Sequence, residues 1–313
     1  MSLQPANNEH PSTTRPVVTL PRLLAKKDSG QPITVLTAYD ATNARQLDAA
    51  GVDILLVGDS LAMTILGHPN TLSVTMDEML HHVKAVRRGT EKALLVADMP
   101  FLSVTLGEDE ACRNAGRMVQ EGGAVAVKVE GASPTVCAVI RRLVSMGIPV
   151  MGHLGLTPQA IHTLGGFKVQ GKTPVQAAQL LRDALVLQAC GVFSVVLELV
   201  PTEVAEIITQ ALSIPTIGIG AGLQCDGQVL VIDDILGRYT QLSPRFVRKY
   251  ADMATETQQA VTEYCNDVTS KTFPNAAESF TLDESMKETV LSAMRSVLDE
   301  SNLSSSRQLA GAS

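Results

Sequence analysis

From residue 33 onward, short runs of Val, Ile and Leu alternate with longer segments whose apolar residues recur every three or four positions. That alternation is the pattern of parallel strands joined by crossover helices. Eight strand-sized runs can be marked: Ile33 to Ala38, Asp53 to Val57, Ala93 to Ala97, Ala124 to Val129, Ile148 to Gly152, Ser194 to Leu199, Pro215 to Ile219 and Val229 to Asp233. Eight parallel strands with their helices close on themselves, so the expected fold class is α/β, a (β/α)8 TIM barrel. Such a barrel commonly needs about 250 residues, and the 313 present leave room for one barrel and two appendages. Residues 1–20 are expected to be a flexible N-terminal segment, 21–280 the catalytic barrel, and 281–313 a helical and low-complexity tail.

The helical segments carry their own punctuation. Thr75 and Glu78 have capping-box spacing ahead of Met76, Met79, Leu80 and Val83, which share one helical face, and Gly89 marks the end. Ser133 followed by Pro134 reads as an N-cap and first helical position, with Val136, Val139, Ile140 and Leu143 on the buried side and Gly147 beyond the end. Ala177, Leu181, Ala184 and Leu185 repeat the pattern before Gly191. In the tail, Leu282 to Leu298 predicts one more helix with a stripe of Met286, Val290, Leu291, Met294 and Val297.

Composition narrows the partners. Tryptophan is absent and aromatics reach only 3%, so the core must be aliphatic. The net charge of −7, without any basic run, argues against nucleic acid or an anionic membrane surface as partner. No apolar run approaches the roughly 20 residues of a membrane helix. The five cysteines are widely separated and show no metal-ligand spacing, which suits a reducing cytoplasm. Ser12, Thr13, Thr14 and Arg15 fit an organelle transit segment only weakly beside Glu9.

In barrels of this kind the chemistry sits where the strands end, because the loops there converge while the strand interiors are filled with packed side chains. Asp59 and Ser60 follow the second run, Asp98 the third, Glu130 the fourth and His153 the fifth, and Glu198 lies near the end of the sixth. Lys128 stands two residues before Glu130, so the period-two alternation of a strand points both to one side.

Three carboxylates at one mouth repel one another unless a cation joins them, and all-oxygen ligation suits Mg2+. Asp59, Asp98 and Glu130 are therefore candidate ligands, although any one of them alone could equally cap a helix. A lysine in an apolar strand needs a partner, so Lys128 must meet either a carboxylate of the site or an anionic ligand. Glu198, an ionisable group in the run Val195 to Leu199, is a candidate general base, with a structural ion pair as the alternative. His153 is an accessory candidate that orients a neighbour or touches substrate. Gly218 to Gly222 resembles the phosphate-cradling loops after strand seven of many barrels, or else simply permits a tight turn. Gly165 to Gly171 is long enough for a lid and equally fits a plain surface loop.

Ordered motifs add a resemblance to these readings. TAYD at Thr37 to Asp40, LLVGDSLAMT at Leu55 to Thr64, ADMPF at Ala97 to Phe101, KVEG at Lys128 to Gly131, GHLGLTPQ at Gly152 to Gln159, LELVP at Leu197 to Pro201 and IGIGAG at Ile217 to Gly222 stand in that order. On these motifs the chain resembles the ketopantoate hydroxymethyltransferases from roughly Ile33 to Phe280. The resemblance implies a barrel of the phosphoenolpyruvate/pyruvate superfamily that transfers a hydroxymethyl group from 5,10-methylenetetrahydrofolate to 3-methyl-2-oxobutanoate, giving 2-dehydropantoate on the way to pantothenate. It implies Mg2+ at Asp59, Asp98 and Glu130, the oxo acid at Asp59, Ser60, Asp98 and Lys128, and Glu198 as proton acceptor. A cytoplasmic homo-oligomer as large as a decamer is implied as well. Two other readings stay open from sequence: a Mg2+-dependent carbon–carbon or phosphonate lyase of the same superfamily, and a non-catalytic anion-binding barrel.

Overall fold

The eight apolar runs form eight parallel strands in the computed structural model, which describes residues 15–242 and 244–310, the last ten as backbone only. They are β1 (Ile33–Thr37), β2 (Ile54–Val57), β3 (Leu94–Asp98), β4 (Ala126–Glu130), β5 (Val150–Gly155), β6 (Ser194–Glu198), β7 (Thr216–Ile219) and β8 (Gly227–Leu230). Neighbours pair in sequence order, and β1 pairs with β8 through Ile33↔Gly227 and Leu36↔Leu230, which closes the (β/α)8 barrel. All eight strands fall within three residues of the expected runs; the run Val229 to Asp233 is shifted toward the N-terminus at both ends, since β8 starts at Gly227 and Ile232 already opens a helix. The Ile232 N–H donates to Thr37 Oγ1, a side-chain contact that ends the ladder there.

The helices of this unit are α1 (Leu20–Asp28), α2 (Ala41–Ala49), α3 (Leu61–Thr64), α4 (Met76–Gly89), α5 (Glu108–Gln120), α6 (Pro134–Ser145), α7 (Ile161–Leu164), α8 (Pro174–Ala189), α9 (Thr202–Ala211) and α10 (Ile232–Ile235). The signals read from sequence set their ends. Thr75 and Glu78 form the full capping box of α4, and Ser133 Oγ accepts from the Val136 N–H with Pro134 next in line. One face differs from its periodicity: in α8 the buried residues are Ala184 and Leu187, while Leu185 is 41% exposed. Apolar residues occupy several faces of this helix, and periodicity alone does not choose among them.

Strand alternation divides the interior into two cores. Ile54 and Leu56 of β2, Leu94 and Val96 of β3, Ala126 of β4, Met151 of β5 and Val196 of β6 point into the barrel. Their neighbours Leu55, Val57, Leu95, Val127 and Val195 point outward and pack with the helices. Leu23 of α1 and Val18 join the inner cluster. The N-terminal segment expected to be flexible is therefore anchored over its described part, since the Arg15 guanidinium also lies 3.2 Å from Asp48 Oδ1. Residues 1–14 of that segment lie outside the described residues.

The chain divides into two units at Met253 and Ala254, and the boundary expected at residue 280 lies inside the second. The second unit contains α11 (Met253–Ser270) apart from its first residue, and α12 (Glu284–Ala310), so the helix expected from Leu282 to Leu298 starts two residues later and runs on to Ala310. Tyr264 and Phe273 meet edge to face at 5.6 Å within it. Among the described residues no helix is long and apolar enough to cross a membrane, and all five cysteines are free.

Candidate active site

The inward parity that fills the barrel continues to its C-terminal mouth, where the side chains become ionisable. In β4, Ala126 points inward, and Lys128 and Glu130 follow at the same parity. Asp98 follows Leu94 and Val96 in β3, His153 follows Met151 in β5, and Glu198 follows Val196 in β6. Strand pairing then sets them side by side, with Asp98 opposite Lys128 and Glu130 opposite His153. Asp59 and Ser60 come from the turn between β2 and α3. All seven residues singled out from sequence line one cavity of about 500 Å³.

Lys128 is the hub. Its Nζ lies 2.6 Å from Asp98 Oδ2 and 3.7 Å from Glu130 Oε1, with only 5% of its side chain exposed. Burial works to lower the Lys128 pKa, but the charges of Asp98, Glu130 and Asp59 outweigh it and raise it, so the ammonium is held. His153 bridges two acids: Nδ1 is 3.1 Å from Glu130 Oε1, and Nε2 is 3.3 Å from Glu198 Oε2. The second contact is too poorly aligned for a hydrogen bond and is an ion pair instead. Burial and Lys128 lower the His153 pKa, yet Glu130 and Glu198 prevail and carry it up to about 9, so an imidazolium sits between them at neutral pH.

Four carboxylates thus face two cations. Asp59 carries the excess: burial first, then the charges of Asp98 and Glu130, push its carboxyl well above the usual range despite Lys128 and Gln159. Asp98 is also raised, by burial and Glu130 against Lys128, whereas His153 and Lys128 overcome burial to hold Glu130 low. Buried oxygen donors with uncompensated negative charge have the chemistry of a hard-cation site. Among the described residues, however, no three His, Cys, Asp or Glu side chains form a ready-made metal cage. Lys128 occupies the space beside Asp98 and Glu130, so a cation here has to complete its shell from a bound ligand.

The loops refine the picture. Leu199, directly after Glu198, adopts a left-handed conformation (φ 48) and accepts the Gln170 N–H at 2.8 Å, tying the Gly165 to Gly171 loop to the end of β6. Phe167 and Val169 of that loop line the cavity. Gly155 lets β5 approach β6: with φ +91, a Cβ there would stand 2.2 Å from the Glu198 carbonyl oxygen. The Gly218 to Gly222 stretch begins in β7 and leaves it through a bend at Gly220 and Ala221. A Cβ on Gly222 would meet Thr202 Cγ2 at 2.5 Å, so this glycine serves close packing. Two participants stand in the TAYD and GHLGLTPQ motifs but were given no role from sequence: Tyr39, whose hydroxyl lies 2.9 Å from Ser60 Oγ, and Gln159, whose side chain donates to Asp59.

Residues 17–276 match the family model described as ketopantoate hydroxymethyltransferase. The chain belongs to that family. Among curated ketopantoate hydroxymethyltransferase relatives, the 3-methyl-2-oxobutanoate hydroxymethyltransferase of Dehalococcoides mccartyi (strain CBDB1) is 53% identical over 270 residues, 86% of this chain and 96% of the relative. That of Thermosynechococcus vestitus is 56% identical over 257 residues, 82% of this chain and 98% of the relative. Membership makes the chain a transferase and disfavours the lyase and non-catalytic readings. Solved structures share the fold alone: a phosphonopyruvate hydrolase in complex with oxalate and Mg++ has a TM-score of 0.53 at 14% identity, over 89% of this chain and 97% of that one. For 2,3-dimethylmalate lyase, a PEP mutase/isocitrate lyase superfamily member, the TM-score is 0.52 at 14% identity, over 92% and 100%.

Proposed function

We propose that the protein catalyses the reaction of 3-methyl-2-oxobutanoate, 5,10-methylenetetrahydrofolate and water to 2-dehydropantoate and tetrahydrofolate, in pantothenate biosynthesis. The observation that carries the reading is the single cavity in which Glu198 stands apart from the Asp59, Asp98, Lys128 and Glu130 cluster, with His153 between them. A base on one side and a charge-stabilising cluster on the other is what enolisation of a 2-oxo acid requires.

Asp59, Asp98 and Glu130 are the residues that would hold Mg2+, which is supported by the excess negative charge they share. When bound, the ion supplies Lewis-acid polarisation of the oxo group and charge neutralisation. Lys128 and Ser60 bind the oxo acid, the ammonium facing its developing negative charge. Glu198 accepts the C3 proton, and His153 keeps that carboxylate turned into the cavity through the 3.3 Å ion pair. The carbon nucleophile left behind attacks the one-carbon unit of the folate, and water completes the hydroxymethyl group as tetrahydrofolate leaves. Phe167 and Val169 line the same cavity and give it an apolar wall beside these groups. A cytoplasmic homo-oligomer belongs to the same reading.

Enolisation needs no folate, so it can be observed alone. In D2O with Mg2+ and without folate, the protein should exchange the C3 hydrogen of 3-methyl-2-oxobutanoate, seen by NMR as loss of the methine signal. Full turnover should require added folate. Absence of Mg2+-dependent exchange would overturn the proposal.

A further inference from the structure

Gln159 ties three strand ends together. It lies in the 3-10 turn Pro158–Ala160 beyond β5. Its backbone N–H donates to Glu130 Oε2 at 3.1 Å, and its Nε2 donates to Asp59 Oδ2 and to the Met99 carbonyl, both at 2.9 Å. The Met99 carbonyl can only accept, so it fixes the orientation of the amide, and both hydrogens of Nε2 are used. Met99 directly follows Asp98, so one residue touches the exits of β2, β3 and β4.

The chemistry of the contact is specific to an amide. Lys128 already supplies an ammonium to Asp98, and His153 serves Glu130. A third cation on Asp59 would cancel the charge that makes the mouth attractive to a divalent ion. A carboxamide restrains the carboxylate without neutralising it. With Oδ2 committed to Gln159, Oδ1 is the Asp59 oxygen left for a ligand. Asp98 and Glu130 face the same mouth, and the hydrogen bond from Gln159 holds the Asp59 side chain toward them.

We infer that Gln159 is a positioning residue that fixes Asp59 against Asp98 and Glu130 and thereby sets the affinity of the mouth for its divalent cation, an inference that rests on the function proposed above. Groups that orient metal ligands in this way typically govern about 10–100-fold in metal affinity or activity.

The test is Gln159→Met, which keeps the length of the side chain, removes both donors and leaves the backbone N–H to Glu130 in place. Mg2+ is titrated calorimetrically into the full-length protein with 3-methyl-2-oxobutanoate present and folate absent. The expected result is Mg2+ binding weakened by about 10–100-fold. In turnover assays the loss should be recovered as Mg2+ is raised, with kcat approaching that of the parent at saturation. A purely structural role would instead lower Tm and leave the Mg2+ affinity of the folded protein unchanged, and that outcome overturns the inference. Gln159→Asn, whose amide falls one methylene short of Asp59, gives the second reading if the Met variant does not fold, with weakened binding expected and parental affinity again contradicting the assignment. Failure of the parent itself to bind Mg2+ would overturn the proposed function and this inference with it, whereas equal binding by parent and variant overturns this inference alone.

Discussion

Lys128 Nζ lies 2.6 Å from Asp98 Oδ2, with 5% and 2% of the two side chains exposed, and the two residues are register partners on β4 and β3. The sequence left open whether this lysine meets a carboxylate of the site or an anionic ligand. Its position serves both ends: the ammonium is neutralised by Asp98 in the resting protein and remains on the wall of the cavity a substrate would enter. Breaking such a pair from one side leaves an unpaired buried charge, which costs more than the pair itself contributes.

Lys128→Met should therefore lower stability by about 3–5 kcal/mol, and the double variant Lys128→Met/Asp98→Asn should recover much of that loss. Denaturant melts of the three variants and the parent complete the cycle. Binding of 3-methyl-2-oxobutanoate should stay weakened in the double variant, by at least about 10–100-fold, because the Lys128 charge-assisted hydrogen bond is lost together with a carboxylate that would hold Mg2+. Parental affinity in the double variant would make Lys128 a purely structural partner.

Glu198→Gln preserves shape and removes the proton acceptor. C3 exchange in D2O should fall by about 10²–10⁴-fold while oxo-acid binding persists. The His153 contact predicts a modest stability change as well, because an ion pair becomes a neutral contact. Exchange at the parental rate would assign Glu198 to the ion pair alone.

Asp59 is a cleaner probe of the metal than Asp98, since its removal leaves the buried ammonium paired. Asp59→Asn should abolish detectable Mg2+ binding in calorimetry and leave the fold intact by circular dichroism. Unchanged Mg2+ affinity would return this carboxylate to a structural role.

Asp234 lies on the wall of the same cavity, half-buried beside Asp233. Burial, with the Asp233 charge added, lifts its carboxyl from 3.8 to about 6, against the pull of Lys249. Because the folded state holds this proton more tightly, the associated stability is full below the unfolded value near 3.8 and is lost as pH rises through about 6. Asp234→Asn should thus raise stability above that pH, by about 1 kcal/mol once partial exposure is allowed for, with a matching rise in Tm, and leave both unchanged near pH 3. A shift of equal size at both pH values would refute the cause given.

The sequence by itself determined the barrel and pointed to seven residues that line its mouth. Strand periodicity is local, so the inward parity of Ala126, Lys128 and Glu130 could be read without any tertiary information, and Asp98 and Glu198 stood visibly at the ends of apolar runs. The tertiary structure decided the pairing: Lys128 with Asp98, His153 between Glu130 and Glu198, and Gln159 on Asp59 across 100 residues of chain. Those contacts depend on closure of the sheet and on where each loop returns to the mouth, and no local period encodes either. The same limit hid Leu185, which lies on the exposed side of α8 because packing against neighbouring elements, not its own spacing, selected the buried face.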